Sequence, residues 1–156
     1  MNMTEELSNW SWEQKCQKAV EALGTNGFTA VYCATPDEAC SYILTAATDA
    51  CTVGFGGSRT ITDLGVQALL AEQGKEILNH GVATLSPEEK LVVMRRQLTC
   101  DLFLASSNAL TLGGELVNID GNGNRAAAMF FGPRQVIVAV GRNKLVDGTP
   151  QQAIQR

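Results

Sequence analysis

The stretch Cys51-Thr-Val-Gly-Phe-Gly-Gly-Ser58-Arg-Thr-Ile-Thr62-Asp-Leu-Gly65 decides how the rest of the chain is read. Its first residues read as a short β-branched strand, its glycines as a turn, and its hydroxyl residues as the opening of an amphipathic helix. A strand, a glycine-rich turn and a helix N-terminus together make an anion site. Glycines let backbone N–H groups approach a ligand, and the first helical turn has free donors and a partial positive charge. Gly56, Gly57, Ser58, Arg59 and Thr60 are therefore candidate contacts for a small anionic ligand. The pattern is neither GxGxxG nor a Walker loop with its Gly-Lys-Ser/Thr, so it does not support a standard dinucleotide or ATP site. The plainer alternative is that these glycines only make the turn.

Outward from this stretch, strands and helices alternate. Residues 4–23 read as a helix, with Trp12, Cys16, Ala19, Val20 and Leu23 at helical spacing and Gly24 as the stop. Trp10 and Trp12, near its start, read as cover for a core edge or a neighbouring subunit. Phe28-Thr-Ala-Val-Tyr-Cys33 is a strand by composition. Thr35 then caps a helix running through Ala47, with Pro36 at its first position and Glu38 placed for a capping box. A helix from about 60 to 73 follows the glycine turn, with Leu64, Ala68 and Leu69 as its buried stripe. Glu76-Ile-Leu-Asn-His80 is a short strand, and Ser86-Pro-Glu-Glu opens a helix running to about Thr99. Asp101-Leu-Phe-Leu-Ala105 and Gln135-Val-Ile-Val-Ala-Val140 are apolar strands. Glu115-Leu-Val-Asn-Ile-Asp120 and Arg125-Ala-Ala-Ala-Met-Phe130 flank Gly121-Asn-Gly-Asn124 and read as the arms of a hairpin. A last helix barely begins at Gln151. The alternation implies a single α/β domain over residues 1–156. Its sheet is mostly parallel and covered by helices on both faces, with an antiparallel hairpin added late.

The composition fits that reading. The 156 residues, 45% hydrophobic and 18% charged, suffice for one domain with a real core. The formal charge of −4 comes without a basic block, which argues against a nucleic-acid partner. No apolar run approaches the roughly 20 residues that span a bilayer, so no membrane association is expected. Cys16, Cys33, Cys40, Cys51 and Cys100 form an odd set without a CxxC pair, and no leader peptide is read at the N-terminus. Both point to free thiols in the cytoplasm.

Ligands of open α/β sheets bind beyond the carboxyl ends of the strands. Those ends carry Thr35, residues 56–60, Asn79 and His80, Ser106 to Asn108, and Arg142 to Lys144. The set is rich in donors and poor in nucleophile–base pairs, which suits recognition of a phosphate, a carboxylate or an enolate-like anion. Ser106, Asn108 and Asn143 join the anion-binding candidates. His80, the sole histidine, is either a general base or an ordinary loop residue. Glu115 is a candidate carboxylate base with Lys144 as its electrophilic partner, or else simply starts a strand. Asp120 reads better as a turn-shaping residue, with Asn124 and Arg125 beside it. No two Cys or His residues share ligand spacing, so neither metal nor cofactor is expected.

Several of these segments resemble a known family. Gly54-Phe-Gly-Gly-Ser-Arg-Thr60, residues 101–108, Gly114-Glu-Leu-Val-Asn-Ile-Asp-Gly-Asn-Gly-Asn-Arg125, Phe131-Gly-Pro133 and Val140-Gly-Arg-Asn-Lys144 are similar to the LUD (lactate utilization) domain family. The resemblance covers about residues 10–150. It implies a three-layer, Rossmann-like sandwich of the type found in ribose-5-phosphate isomerases, glucosamine-6-phosphate deaminases and CoA transferases. Those relatives place a Gly/Ser/Thr loop around a phosphate or acyl group, the role suggested here for residues 56–60. Proteins similar to this family accompany iron–sulfur oxidoreductases in the oxidation of L-lactate to pyruvate. The resemblance therefore implies an accessory or regulatory component that binds an anionic metabolite beside such a partner. The alternative is an enzyme of the sugar-phosphate isomerase, deaminase or CoA-transferase type. Many family members continue into a cysteine-rich tail resembling Pro-Cys-x-x-x-Gly-x-Cys-x-x-Cys, which this sequence does not include. A cluster bound by that tail is not carried over, and a sheet edge left uncovered suggests a homo-oligomer.

Overall fold

The computed structural model describes residues 3–155. In chain order its elements are α1 (Met3–Thr25), α2 (Pro36–Ala46), β1 (Thr52–Phe55), α3 (Arg59–Asp63), α4 (Val66–Glu72), β2 (Glu76–Asn79), α5 (Pro87–Gln97) and β3 (Leu102–Ala105). Next come β4 (Ala109–Thr111), β5 (Leu116–Val117), α6 (Asn124–Phe130), β6 (Gln135–Val138), a 3₁₀ turn (Arg142–Lys144), β7 (Leu145–Val146) and α7 (Pro150–Ile154). The contacts divide the chain into two compact units. One comprises residues up to 34, 107–119 and from 140 onward, and the other comprises 35–106 and 120–139.

The second unit is built on a parallel sheet of order β2-β1-β3-β6. Alternate side chains of its strands serve two cores, as the two-residue period of a strand requires. Val53, Phe55, Leu102 and Leu104 pack with Ile43 of α2, Ile61 of α3, and Val66 and Leu70 of α4. Leu78, Phe103 and Ala105 pack with Cys100, with Ala128 of α6 and with the partly buried Val93 of α5. The result is a three-layer α/β sandwich whose central strands are apolar on both faces. Burying a Leu or Phe side chain of this kind contributes about 1.5–3 kcal/mol.

The ends of these elements are set by local chemistry. The Thr35 hydroxyl accepts from the Glu38 N–H at 3.2 Å and opens α2. Ser86 and Glu89 form a reciprocal capping box at α5. At the start of the sheet, the Asp101 carboxylate accepts from the Cys51 N–H, the Thr52 N–H and the Thr52 hydroxyl at 2.9, 2.9 and 3.0 Å. The Asp101 N–H in turn donates to the Thr52 hydroxyl oxygen at 2.9 Å. This clasp ties the first residue of β1 to the entry of β3.

The first unit holds a smaller mixed sheet of order β5-β4-β7, with β4 antiparallel to β5 and parallel to β7. Ala19 of α1 packs on Leu110 and Leu112, and Ala153 of α7 packs on Ala109 and Val117. Much of α1 lies at the surface. Met3, Leu7 and Trp10 are exposed, while Trp12 is half-buried with Lys15 and Arg142 over its ring at 5.3 and 5.9 Å.

Three expectations need correction. Residues 28–33 form no strand despite their composition, and Phe28 and Val31 are exposed. β-Branched and aromatic residues favour a strand only where a partner ladder and a face to bury exist. The helix expected over 60–73 is two helices, broken where Gly65 adopts φ +67. The break shifts the helical phase, so Ile61, Val66 and Leu70 are buried while Ala68 and Leu69 are exposed. The second arm of the expected hairpin is helix α6. Arg-Ala-Ala-Ala-Met is a strong helix-forming run, and Asp120 accepts from the Asn122 and Ala126 N–H groups at 3.3 and 2.8 Å across its start. The antiparallel pairing occurs instead between β4 and β5, around the turn at Gly113 and Gly114.

The amides of Thr52 and Cys51, then the Thr52 hydroxyl, pull the Asp101 carboxyl down from 3.8 to about 2. A depressed carboxyl stabilises the fold above its unfolded pKa, and that contribution is lost as the pH falls through the folded value. The Asp101 contribution is thus complete at neutral pH, begins to fade below about 4 and is gone below about 2. Melting curves of the native chain and of Asp101→Asn are expected to differ most at neutral pH and to converge under acid. A gap that stays constant with pH would contradict the role of this carboxylate.

Candidate functional site

Strand β1 ends among glycines that do different work. Gly54, within β1, and Gly56, the residue after its end, lie two apart and face the same way, both against Phe103. A Cβ on Gly54 would sit 2.9 Å from Phe103 Cδ2 and 3.0 Å from Cys100 Sγ. A Cβ on Gly56 would sit 3.0 Å from Phe103 Cζ, 3.2 Å from Ala105 Cβ and 3.3 Å from Arg125 Cγ. The two glycines therefore clear a lane that the Phe103 ring and the Arg125 stem fill. Gly57 is the turn residue, at φ +71, and leaves open the space facing His80.

Beyond the turn, Ser58 is the N-cap of α3. Its hydroxyl oxygen accepts from the Ile61 N–H at 3.3 Å, so its own proton is left to donate. The Arg59 side chain is 91% exposed and pairs with Asp63 at 3.5 Å, one turn along the helix. Thr60 is half-buried within α3. Ser106 is buried directly after β3.

His80 comes directly after β2, and its Nδ1 lies 3.1 Å from Nε2 of Gln97. Gln97 is the last residue of α5 and is fully buried. Its amide nitrogen also donates to the Phe55 and Leu78 carbonyls at 2.9 and 2.8 Å, while its Oε1 has no hydrogen-bond partner among the described residues. Burial pushes the neighbouring Cys100 thiol up, the amide contact from Gly54 offsetting only part of this, so Cys100 is a packed thiol and not a nucleophile. Burial also raises the Asp120 carboxyl. The amides of Ala126, Asn122 and Gly123 and the charge of Arg125 outweigh that and hold it below its ordinary value.

The remaining candidates, Asn108, Glu115, Asn143 and Lys144, belong to the first unit. The Asn108 side-chain oxygen accepts from the Ile119 N–H at 3.0 Å. The Glu115 carboxylate accepts from the Thr111 hydroxyl and folds back over its own β-turn. Asn143 and Lys144 lie in the 3₁₀ turn, which the Lys144 N–H closes onto the Gly141 carbonyl at 2.9 Å. The same unit carries an open cleft of about 550 Å³ lined by Thr4, Glu5, Ser8, Asn9 and Arg142. That cleft rests on an exposed helix face, and Arg142 within it donates to Asn9 at 3.0 Å.

Sequence reasoning misses Gln97 and understates Arg125. A signal for Gln97 exists, since Val93, Gln97 and Cys100 recur at the i, i+4, i+7 spacing of a buried stripe, where a polar residue is out of place. Arg125 reads as a hairpin residue only while its segment reads as a strand.

With these positions established, comparison with known proteins bears on the whole arrangement. The LUD domain model matches residues 16–156. The chain belongs to the LUD domain family. No curated protein and no solved structure matches it. The LUD family is associated with lactate utilization. Two runs that carry the resemblance serve in this LUD domain as local framework. One is the Asp120-capped entry to α6, and the other is the 3₁₀ turn after Gly141. Among the described residues no group of three Cys, His, Asp or Glu side chains could hold a metal ion, and no helix is long and apolar enough to cross a membrane.

Gly56 and Gly57 separate experimentally. Gly56→Ala forces a methyl against Phe103, Ala105 and Arg125, and should cost about 1–3 kcal/mol, the usual penalty for overpacking. Gly57→Ala meets no such crowding but is held at positive φ, and should cost about 1–2 kcal/mol. Urea unfolding measures both. A neutral Gly56→Ala would show that the lane is not filled.

Proposed function

We propose that this LUD-domain chain is an accessory component of L-lactate oxidation, acting beside iron–sulfur oxidoreductase partners and binding a small anionic metabolite at the turn of residues 56–60. The family association supports the metabolic setting. The observation that carries the ligand class is the donor character of the carboxyl ends of β1 and β2. The Gly57 turn, the Ser58 hydroxyl, His80 and the Arg125 stem over Gly56 belong to one compact unit. Asp120, the acid leading into α6, is occupied in accepting backbone amides. Such a set recognises a carboxylate or phosphate oxygen. Arg125 replaces Arg59 as the cation of this reading, because the Arg59 guanidinium is turned to solvent and paired with Asp63.

The accessory role is favoured over turnover by the engagement of the candidate bases. General-base catalysis needs a carboxylate or imidazole lone pair within hydrogen-bond reach of the substrate proton. The Glu115 carboxylate is taken up by Thr111, and the His80 Nδ1 is turned against the Gln97 amide at 3.1 Å.

A thermal-shift screen with L-lactate, pyruvate, ribose 5-phosphate, CoA and inorganic phosphate tests the reading. A saturating ligand at about 100 times its Kd is expected to add about 2.7 kcal/mol. Arg125→Ala should weaken binding by about tenfold or more, as loss of a charge-assisted hydrogen bond does, while Arg59→Ala should leave it within about twofold. No shift with any of these anions, or a larger loss in Arg59→Ala than in Arg125→Ala, would overturn the site.

A further inference from the structure

The buried amide of Gln97 lies within 3.1 Å of two backbone carbonyls and one imidazole nitrogen. The carbonyls of Phe55 and Leu78, at 2.9 and 2.8 Å, decide which end of the amide faces them. Only an NH₂ group satisfies two acceptors, and the reversed amide would set Oε1 against two carbonyl oxygens. Those two carbonyls take both amide hydrogens, and the amide nitrogen has no lone pair to offer, so a hydrogen on the His80 Nδ1, 3.1 Å away, would be set against an NH₂ group. The Nδ1 that fits there is the unprotonated one, which shares one of those hydrogens. A neutral imidazole that accepts at Nδ1 carries its hydrogen on Nε2. Among the described residues that is the ring's only hydrogen bond. Nε2 faces Gly57, lying 3.5 Å from where a Cβ there would stand.

The geometry points to Gln97 as a positioning residue that fixes His80 in its Nε2–H form, making His80 a hydrogen-bond donor to a carboxylate or phosphate oxygen seated at the Gly57 turn. This rests on the anion site of the proposed function. It also changes the role of the histidine. In this tautomer the ring's lone pair points at Gln97, so the neutral ring cannot take a proton from a ligand at the turn. His80 is a donor there and not a base. Gly57 serves the same end, since any side chain at that position would stand between Nε2 and the ligand.

Because His80 is the only histidine, its ring is read directly by ¹⁵N-histidine labelling and long-range ¹H–¹⁵N correlation. At alkaline pH, where the ring is neutral, the ligand-free chain should give one tautomer, Nε2–H. Gln97→Met, which keeps the length of the side chain without its amide, should move the ring to the averaged shifts of free histidine. A native spectrum with Nδ1–H, or with tautomer averaging, overturns the positioning role without need of any variant. Inorganic phosphate and L-lactate are then titrated, with binding followed independently by thermal shift. Binding should move the Nε2 signal, and should weaken about three- to tenfold in Gln97→Met and at least tenfold in His80→Ala. An anion that binds with the His80 signal unmoved overturns the donor role and leaves the anion site standing. A fixed tautomer with no anion bound at any concentration overturns the anion site, and the donor role with it.

Discussion

A single carboxylate at the start of the parallel sheet sets the register on which the rest of the second unit depends. Asp101 gathers two amides and a hydroxyl from Cys51 and Thr52, so β1 and β3 leave the same edge together. From there the pairing of Val53 with Leu102 and of Phe55 with both Leu104 and Asn79 carries the strands forward in step. Their carboxyl ends then emerge side by side, with Gly56, His80 and Ser106 as the next residues of their segments. A one-residue slip would turn Phe103 toward the wrong core and Val53 away from its own.

The polar groups at those carboxyl ends are shaped from behind. The Phe103 ring and the Arg125 stem occupy a lane that Gly54 and Gly56 keep clear, and Gln97 closes the same region from α5. A buried glutamine is costly unless its amide is satisfied. Its NH₂ is satisfied by two strand carbonyls, and its third contact falls on the one imidazole at the turn. The apolar core and the polar end are therefore one packing problem: the side chains that fill the sheet face also orient His80.

Much of this is legible in the sequence, and the misses share a cause. The parallel strands at 52–55, 76–79, 102–105 and 135–138 are readable because their apolar runs are short and bounded by turn and cap residues. The caps at Thr35 and Ser86 are readable because a cap is local chemistry. Residues 28–33 have strand composition without a strand, since pairing depends on distant chain. Asn-Gly-Asn beside an apolar run suggests a hairpin, yet Asp120 turns the same residues into a helix entry, and only the three alanines hint at it. For the candidate site, the turn and His80 are singled out in the sequence by taking the residues just beyond the end of each strand. The turning of Arg59 to solvent, the lie of the Arg125 stem over Gly56 and the burial of Gln97 are facts of side-chain direction, which spacing does not encode.

Amide chemical-shift mapping of the ¹⁵N-labelled chain, titrated with the anion that raises its melting temperature most, tests the placement of the ligand most directly. The expected result is a cluster of saturable shifts at Gly56, Gly57, Ser58, His80 and Arg125. Shifts confined instead to Thr4, Glu5, Ser8, Asn9 and Arg142, which line the open cleft on α1, would put the ligand on the other unit and contradict the reading of the glycine turn.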